Sequence, residues 1–78
     1  MIVKVLGSGC AKCNELEARV KAIAEKHQLE FILEKVGDFK KIMEYKVMMT
    51  PALVVDEEVK CYGRIPRDEE LLKWLKGE

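Results

Sequence analysis

Seventy-eight residues carry no net charge, one histidine, two prolines and no long apolar run. The 14 Lys and Arg residues balance 14 Asp and Glu residues, and a nucleic-acid grip needs a basic field, so that class of partner drops out. The longest apolar stretch in the interior, Ala52 to Val55, is four residues. A bilayer span needs roughly 20, so no membrane association is expected. The start Met1-Ile2-Val3-Lys4-Val5-Leu6 is too short and carries its charge too late for a secretory signal, and the reading is a cytoplasmic protein. Only three cysteines are present. An odd count in a short chain is a poor disulfide framework. What is there is 49% hydrophobic and 36% charged, which describes one small globular domain over residues 1–78, taken to be a monomer.

With so few glycines and prolines, each break in the pattern is informative. Ile2 to Leu6 reads as a strand and Gly7-Ser8-Gly9 as a turn. From Ala11 to about His27, Cys13, Leu16, Val20, Ile23 and Ala24 trace one face of a helix. Leu29 to Val36 reads as a second strand. Asp38 is placed to cap a short helix reaching about Tyr45, with Phe39, Ile42 and Met43 inward. Ala52 to Val55 is a strand buried on both faces, Asp56-Glu57-Glu58 turns the chain, and Val59 to Tyr62 returns. The turn lacks the glycine usual in a tight hairpin, which predicts a looser loop. Pro66 suits the first turn of a last helix, whose apolar face is Leu71, Leu72 and Leu75 with Trp74 at its edge. The fold class is therefore α/β in the order β-α-β-α-β-β-α. The first unit crosses over right-handed to give parallel strands, and the last two strands are antiparallel. A four-stranded mixed sheet with helices on both faces follows.

Cys10 and Cys13 form a C-x-x-C at the mouth of the first helix. A side chain at the N-cap accepts hydrogen bonds from first-turn N–H groups, and the helix macrodipole is positive there. Both effects favour a thiolate on Cys10, and Lys12 adds a nearby positive charge. Cys13 shares the apolar stripe of Leu16 and Val20 and is expected to be buried. The asymmetry casts Cys10 as the attacking thiol and Cys13 as the resolving one. A C-x-x-C also occurs as a pair of core cysteines or as part of a metal site. His27 cannot join such a site, since 14 residues of helix separate it from Cys13, roughly 21 Å. A three-thiolate site with Cys61 stays open for a soft metal. Heavy-metal-associated domains place C-x-x-C similarly, but their order is β-α-β-β-α-β, ending in a strand.

Three segments together resemble the small thioredoxin-like proteins called redox-active disulfide proteins. They are Gly7-Ser8-Gly9-Cys10-Ala11-Lys12-Cys13, Thr50-Pro51-Ala52-Leu53-Val54-Val55 and Gly63-Arg64-Ile65-Pro66. The resemblance covers essentially the whole chain and implies a minimal thioredoxin fold. It implies that Pro51 follows a cis peptide bond, that its loop packs beside the C-x-x-C, and that the Thr50 backbone pairs with substrate backbone. It brings Tyr62 and Gly63 to the same surface, where Met49 would complete an apolar rim. It departs from thioredoxins in having no Trp before Cys10 and no Pro inside the C-x-x-C. Where thioredoxins carry a buried Asp, six residues before the first cysteine, this chain has Lys4. Lys4 is expected to snorkel, to pair with a carboxylate such as Glu34, or to act on a nearby thiol. Cys61 has no counterpart in the family pattern and reads as a small buried hydrophobe or a third redox thiol.

The resulting expectation is a thiol–disulfide oxidoreductase acting on protein or small-molecule disulfides. Its site residues are Cys10, Cys13, Lys12, Met49, Thr50, Pro51, Tyr62 and Gly63. It needs no bound cofactor or metal, because a partner reductase or a small thiol supplies electrons. The alternatives are a metal-binding or metal-delivery module using Cys10 and Cys13, with or without Cys61, and a redox-sensing module that binds a partner in one oxidation state.

Overall fold

The computed structural model describes residues 1–7 and 9–77. Seven elements follow one another: β1 (Ile2–Leu6), α1 (Ala11–Lys26), β2 (Ile32–Val36), α2 (Phe39–Glu44), β3 (Ala52–Val55), β4 (Glu58–Tyr62) and α3 (Asp68–Leu75). The strands form one sheet in the order β2-β1-β3-β4. β1 runs parallel to β2 and antiparallel to β3, and β3 runs antiparallel to β4. The order of elements along the chain, the parallel β1–β2 pair and the antiparallel β3–β4 pair are those the sequence pattern implies; the antiparallel β1–β3 pairing that joins them is added by the structure.

Alternation along β1 and β3 divides the interior into two layers. Val3, Val5, Leu53 and Val55 face one side, where they meet Leu16, Val20 and Ile23 of α1 and Leu71 and Leu75 of α3. Leu6, Ala52 and Val54 face the other, against Ile42 of α2 and Val47. All four residues of β3 are buried, because it lies inside the sheet with helices over both faces. Among the described residues no helix is long and apolar enough to cross a membrane.

Several details differ from the sequence pattern. β2 starts at Ile32 rather than Leu29, since its partner strand begins at Ile2, which pairs with Ile32; Leu29 and Phe31 pack against the larger cluster without a ladder partner. Phe39 and Met43 do not point inward. They are 72% and 54% exposed, because the six-residue α2 turns only Ile42 fully onto the sheet. Pro66 lies just before the N-cap Arg67 rather than inside the first turn of α3. The β3–β4 connection is tight despite having no glycine: Asp56 and Glu57 sit at φ 49° and 68°, and Val55 pairs with Glu58 across them. Positive φ at both central residues is what a two-residue hairpin with the right-handed strand twist requires.

Cys61 lies on the opposite side of the sheet from Val59, contrary to simple alternation. Leu53 pairs with Cys61 while Val54 pairs with Val59, so Lys60 is an extra residue in β4. This bulge turns Cys61 into the cluster under α1 and α3, and leaves Val59 against the cluster under α2.

Candidate functional site

The site gathers where β1 gives way to α1. Cys10 is the N-cap of α1, with extended backbone (φ −76°, ψ 159°), and is exposed. Its Sγ accepts a hydrogen bond from the Cys13 backbone N–H at 3.1 Å, one of the donors that a helix start otherwise leaves unpaired. Cys13, the third residue of α1, is fully buried. The two are joined by a disulfide, with Cα atoms 5.1 Å apart. The pair is thus one exposed and one buried sulfur, with the exposed one held at the positive end of a 16-residue helix.

The Thr50–Pro51 peptide is cis, and Pro51 is buried while Thr50 is exposed. Gly7 brings this loop to the cysteines: a Cβ built on Gly7 would collide with Cys13 Sγ and lie 3.6 Å from Thr50 Cβ. Among the described residues the Thr50 backbone N–H and C=O have no hydrogen-bond partner. The next carbonyl along, Pro51 O, accepts from the Gly63 N–H at 2.8 Å and ties the loop to the end of β4. Gly63 itself, at φ +74°, packs against Met49, whose Cε, Cβ and Sδ would lie 3.2–3.3 Å from any Cβ there. Met49 and Tyr62 are 57% and 58% exposed and line one groove with Met48 and Val59. Lys12 is exposed on α1 and lines none of the grooves on this side.

Two features escaped the pattern reading. Gly7, read as an ordinary turn glycine, is a wall shared by Cys13 and Thr50; its position at the end of β1 is the only sequence signal for this. Thr50 also lines a groove with Phe39, Ile42, Val47 and Met48, so the apolar rim extends onto α2. Met48 is 92% exposed. The exposure of Phe39 and Met48 has no sequence signal, since apolar residues beside a helix pattern read as core.

Lys4 does not act on the thiols. It alternates with Val3 and Val5 and so faces away from α1. Its Nζ donates to Tyr45 OH at 2.8 Å and pairs with Glu57 Oε1 at 2.7 Å, so the carboxylate partner is Glu57 rather than Glu34. The hydrogen bond to Glu57 comes first, then that to Tyr45, in raising the Lys4 pKa above the usual lysine range. The same Lys4 hydrogen bond holds Glu57 below the usual carboxylate range. Cys61 is a free thiol inside the core, and burial pushes its pKa up. Among the described residues no three His, Cys, Asp or Glu side chains converge as a metal site, so Cys61 does not join Cys10 and Cys13 in one ligand set.

The comparisons with known proteins agree with this geometry. A family model described as a thioredoxin domain matches residues 1–76. A thioredoxin from Methanocaldococcus jannaschii is 33% identical over 77 residues, covering 99% of this chain and 88% of that protein. A thioredoxin from Methanothermobacter thermautotrophicus is 32% identical over 75 residues, covering 96% and 97%. With its exposed and buried cysteines paired at a helix start beside a cis-proline loop, the chain belongs to the thioredoxin-domain family.

Proposed function

We propose that the chain is a thiol–disulfide oxidoreductase in which Cys10 and Cys13 form the working dithiol and disulfide-bearing proteins are the substrates. The observation that carries this reading is the asymmetry of the pair: Cys10 is exposed with its Sγ on a first-turn N–H, and Cys13 is buried beside it. An N-cap hydrogen bond and the helix dipole favour a Cys10 thiolate in the reduced protein, while burial keeps Cys13 a thiol until it is needed. The Cys10 thiolate attacks one sulfur of the substrate disulfide. A Cys10–substrate bond forms, the substrate disulfide breaks, and one substrate sulfur leaves as thiolate and takes up a proton. Cys13 then loses its proton and attacks Cys10 Sγ, expelling the second substrate sulfur and leaving the Cys10–Cys13 disulfide. Two electrons pass from protein to substrate, and a partner reductase or small thiol returns them.

The Thr50 backbone, without a hydrogen-bond partner among the described residues, pairs with the extended backbone of the substrate beside its half-cystine. Met49, Tyr62 and Gly63 form the apolar rim beside it, with Pro51 buried in the loop, and Lys12 contributes charge near Cys10. The working compartment under this reading is the reducing cytoplasm.

The test is turnover of insulin disulfides with dithiothreitol as electron source. The wild-type protein accelerates reduction, Cys10→Ser abolishes the effect, and Cys13→Ser accumulates a covalent Cys10–substrate complex visible by intact mass. A wild-type protein no faster than dithiothreitol alone overturns the assignment.

A further inference from the structure

Resting on Cys10 and Cys13 as the working dithiol, we propose that Gly7 is a positioning residue that sets the balance between disulfide and dithiol. Gly7 follows the last residue of β1 and is buried, and its N–H donates to Val36 O at 2.9 Å, which anchors it to the end of β2. Its φ of +150° is a conformation that side chains rarely adopt. A Cβ there would collide with Cys13 Sγ, lie 3.2 Å from Cys13 Cβ and touch Thr50. The space that a side chain would take is the space that Cys13 Sγ occupies in the disulfide. Gly9, two residues on and also at positive φ, has nothing within 4 Å of its missing Cβ. The crowding therefore belongs to position 7 and not to the loop in general.

The consequence is unequal for the two redox states. In the disulfide, Cys13 Sγ is fixed by its bond to Cys10 and cannot move from an added methyl. In the dithiol that bond is gone, and on this proposal Sγ yields by turning about χ1. A side chain at position 7 therefore penalises the disulfide more than the dithiol.

The experiment equilibrates wild type, Gly7→Ala and Gly9→Ala with dithiothreitol at graded ratios. Dithiothreitol passes two electrons and two protons to the protein, its own thiols closing to a cyclic disulfide as the Cys10–Cys13 bond opens. Gly7→Ala is expected to shift this equilibrium toward the dithiol by about tenfold or more, the scale on which overpacking a closed interior is felt. Gly9→Ala carries backbone strain without the collision and is expected to leave it unchanged. The thermal midpoint of reduced Gly7→Ala is measured alongside: a merely structural glycine lowers the stability of both states equally and leaves the equilibrium where it was, which overturns the proposal. If Gly7→Ala does not fold when oxidised, a cooperative unfolding transition recovered in dithiothreitol supports the proposal, and failure to fold in both redox states overturns it. A wild-type protein that forms no Cys10–Cys13 disulfide sinks the oxidoreductase reading itself, whereas a cycling wild type matched by Gly7→Ala sinks only the role of Gly7.

Discussion

The three cysteines are chemically unlike because of where each sits. Cys10 is exposed at a helix start, Cys13 is buried next to it, and Cys61 is enclosed between the sheet and two helices. With the protein reduced at neutral pH, iodoacetamide is expected to label Cys10 rapidly and to leave Cys61 unmodified until denaturant is added. Peptide mapping after a timed quench checks this, and labelling of Cys61 in the native state would contradict the burial that raises its pKa. The Lys4–Glu57 pair makes a pH-dependent prediction. Glu57 is depressed in the folded state, so its contribution is present above the unfolded carboxylate value and is lost as pH falls through the folded one. Lys4 is raised, so its contribution is present below the unfolded value of 10.5 and is lost as pH rises through the folded one. Glu57→Gln is therefore expected to melt slightly below wild type at pH 7 and closer to it near pH 3. The pair's exposure keeps the difference small. An equal gap at both pH values, measured by thermal melts, would count against the pairing.

Helices α1 and α2 both show apolar residues at helical spacing, yet they bury different amounts of it. In α1 the stripe Cys13, Leu16, Val20 and Ile23 is buried as the spacing implies, because sixteen residues lie along the sheet with α3 beside them. Leu16→Ala is expected to cost about 2–5 kcal/mol, the range for emptying a fully buried leucine site. Phe39→Ser on α2 is expected to change stability by less than about 0.5 kcal/mol, because an exposed side chain away from special contacts has little to lose. Urea unfolding of the two variants separates the cases; a large loss for Phe39→Ser would mean that its ring packs after all. The β3–β4 hairpin shows a different limit of local reading. Without glycine it looks loose, but pairing of Val55 with Glu58 closes it, and the Ile2 N–H donating to Asp56 Oδ1 at 2.8 Å holds the turn to the neighbouring strand.

For the folded chain as a unit, the disulfide is a switch more than a staple. Chain entropy gives a four-residue loop about 2 kcal/mol. For a domain of this size that corresponds to roughly 10 °C in thermal midpoint. The reduced protein is thus expected to stay folded and to melt cooperatively about that far below the oxidised form. Calorimetry with and without dithiothreitol checks it, and a reduced protein lacking a cooperative transition would show that the bond holds the fold together. The stability that survives reduction comes from the two apolar layers on either side of β1 and β3.

Properties that depend on near neighbours were legible in the residues alone: the order of elements, the parallel β1–β2 and antiparallel β3–β4 pairings, the N-cap position of Cys10 and the burial of Cys13. Each follows from spacing, capping or handedness acting over a few residues. Properties that depend on contacts between distant segments were not. Whether Lys4 meets Glu34 or Glu57 depends on which way its head leans from β1. Which face Cys61 occupies depends on a bulge that no composition marks. Gly7 looks like any turn glycine until Cys13, six positions on, and Thr50, from the far half of the chain, are packed against the place where its side chain would be. Local pattern specifies what each segment forms, and only packing decides which atoms exclude one another.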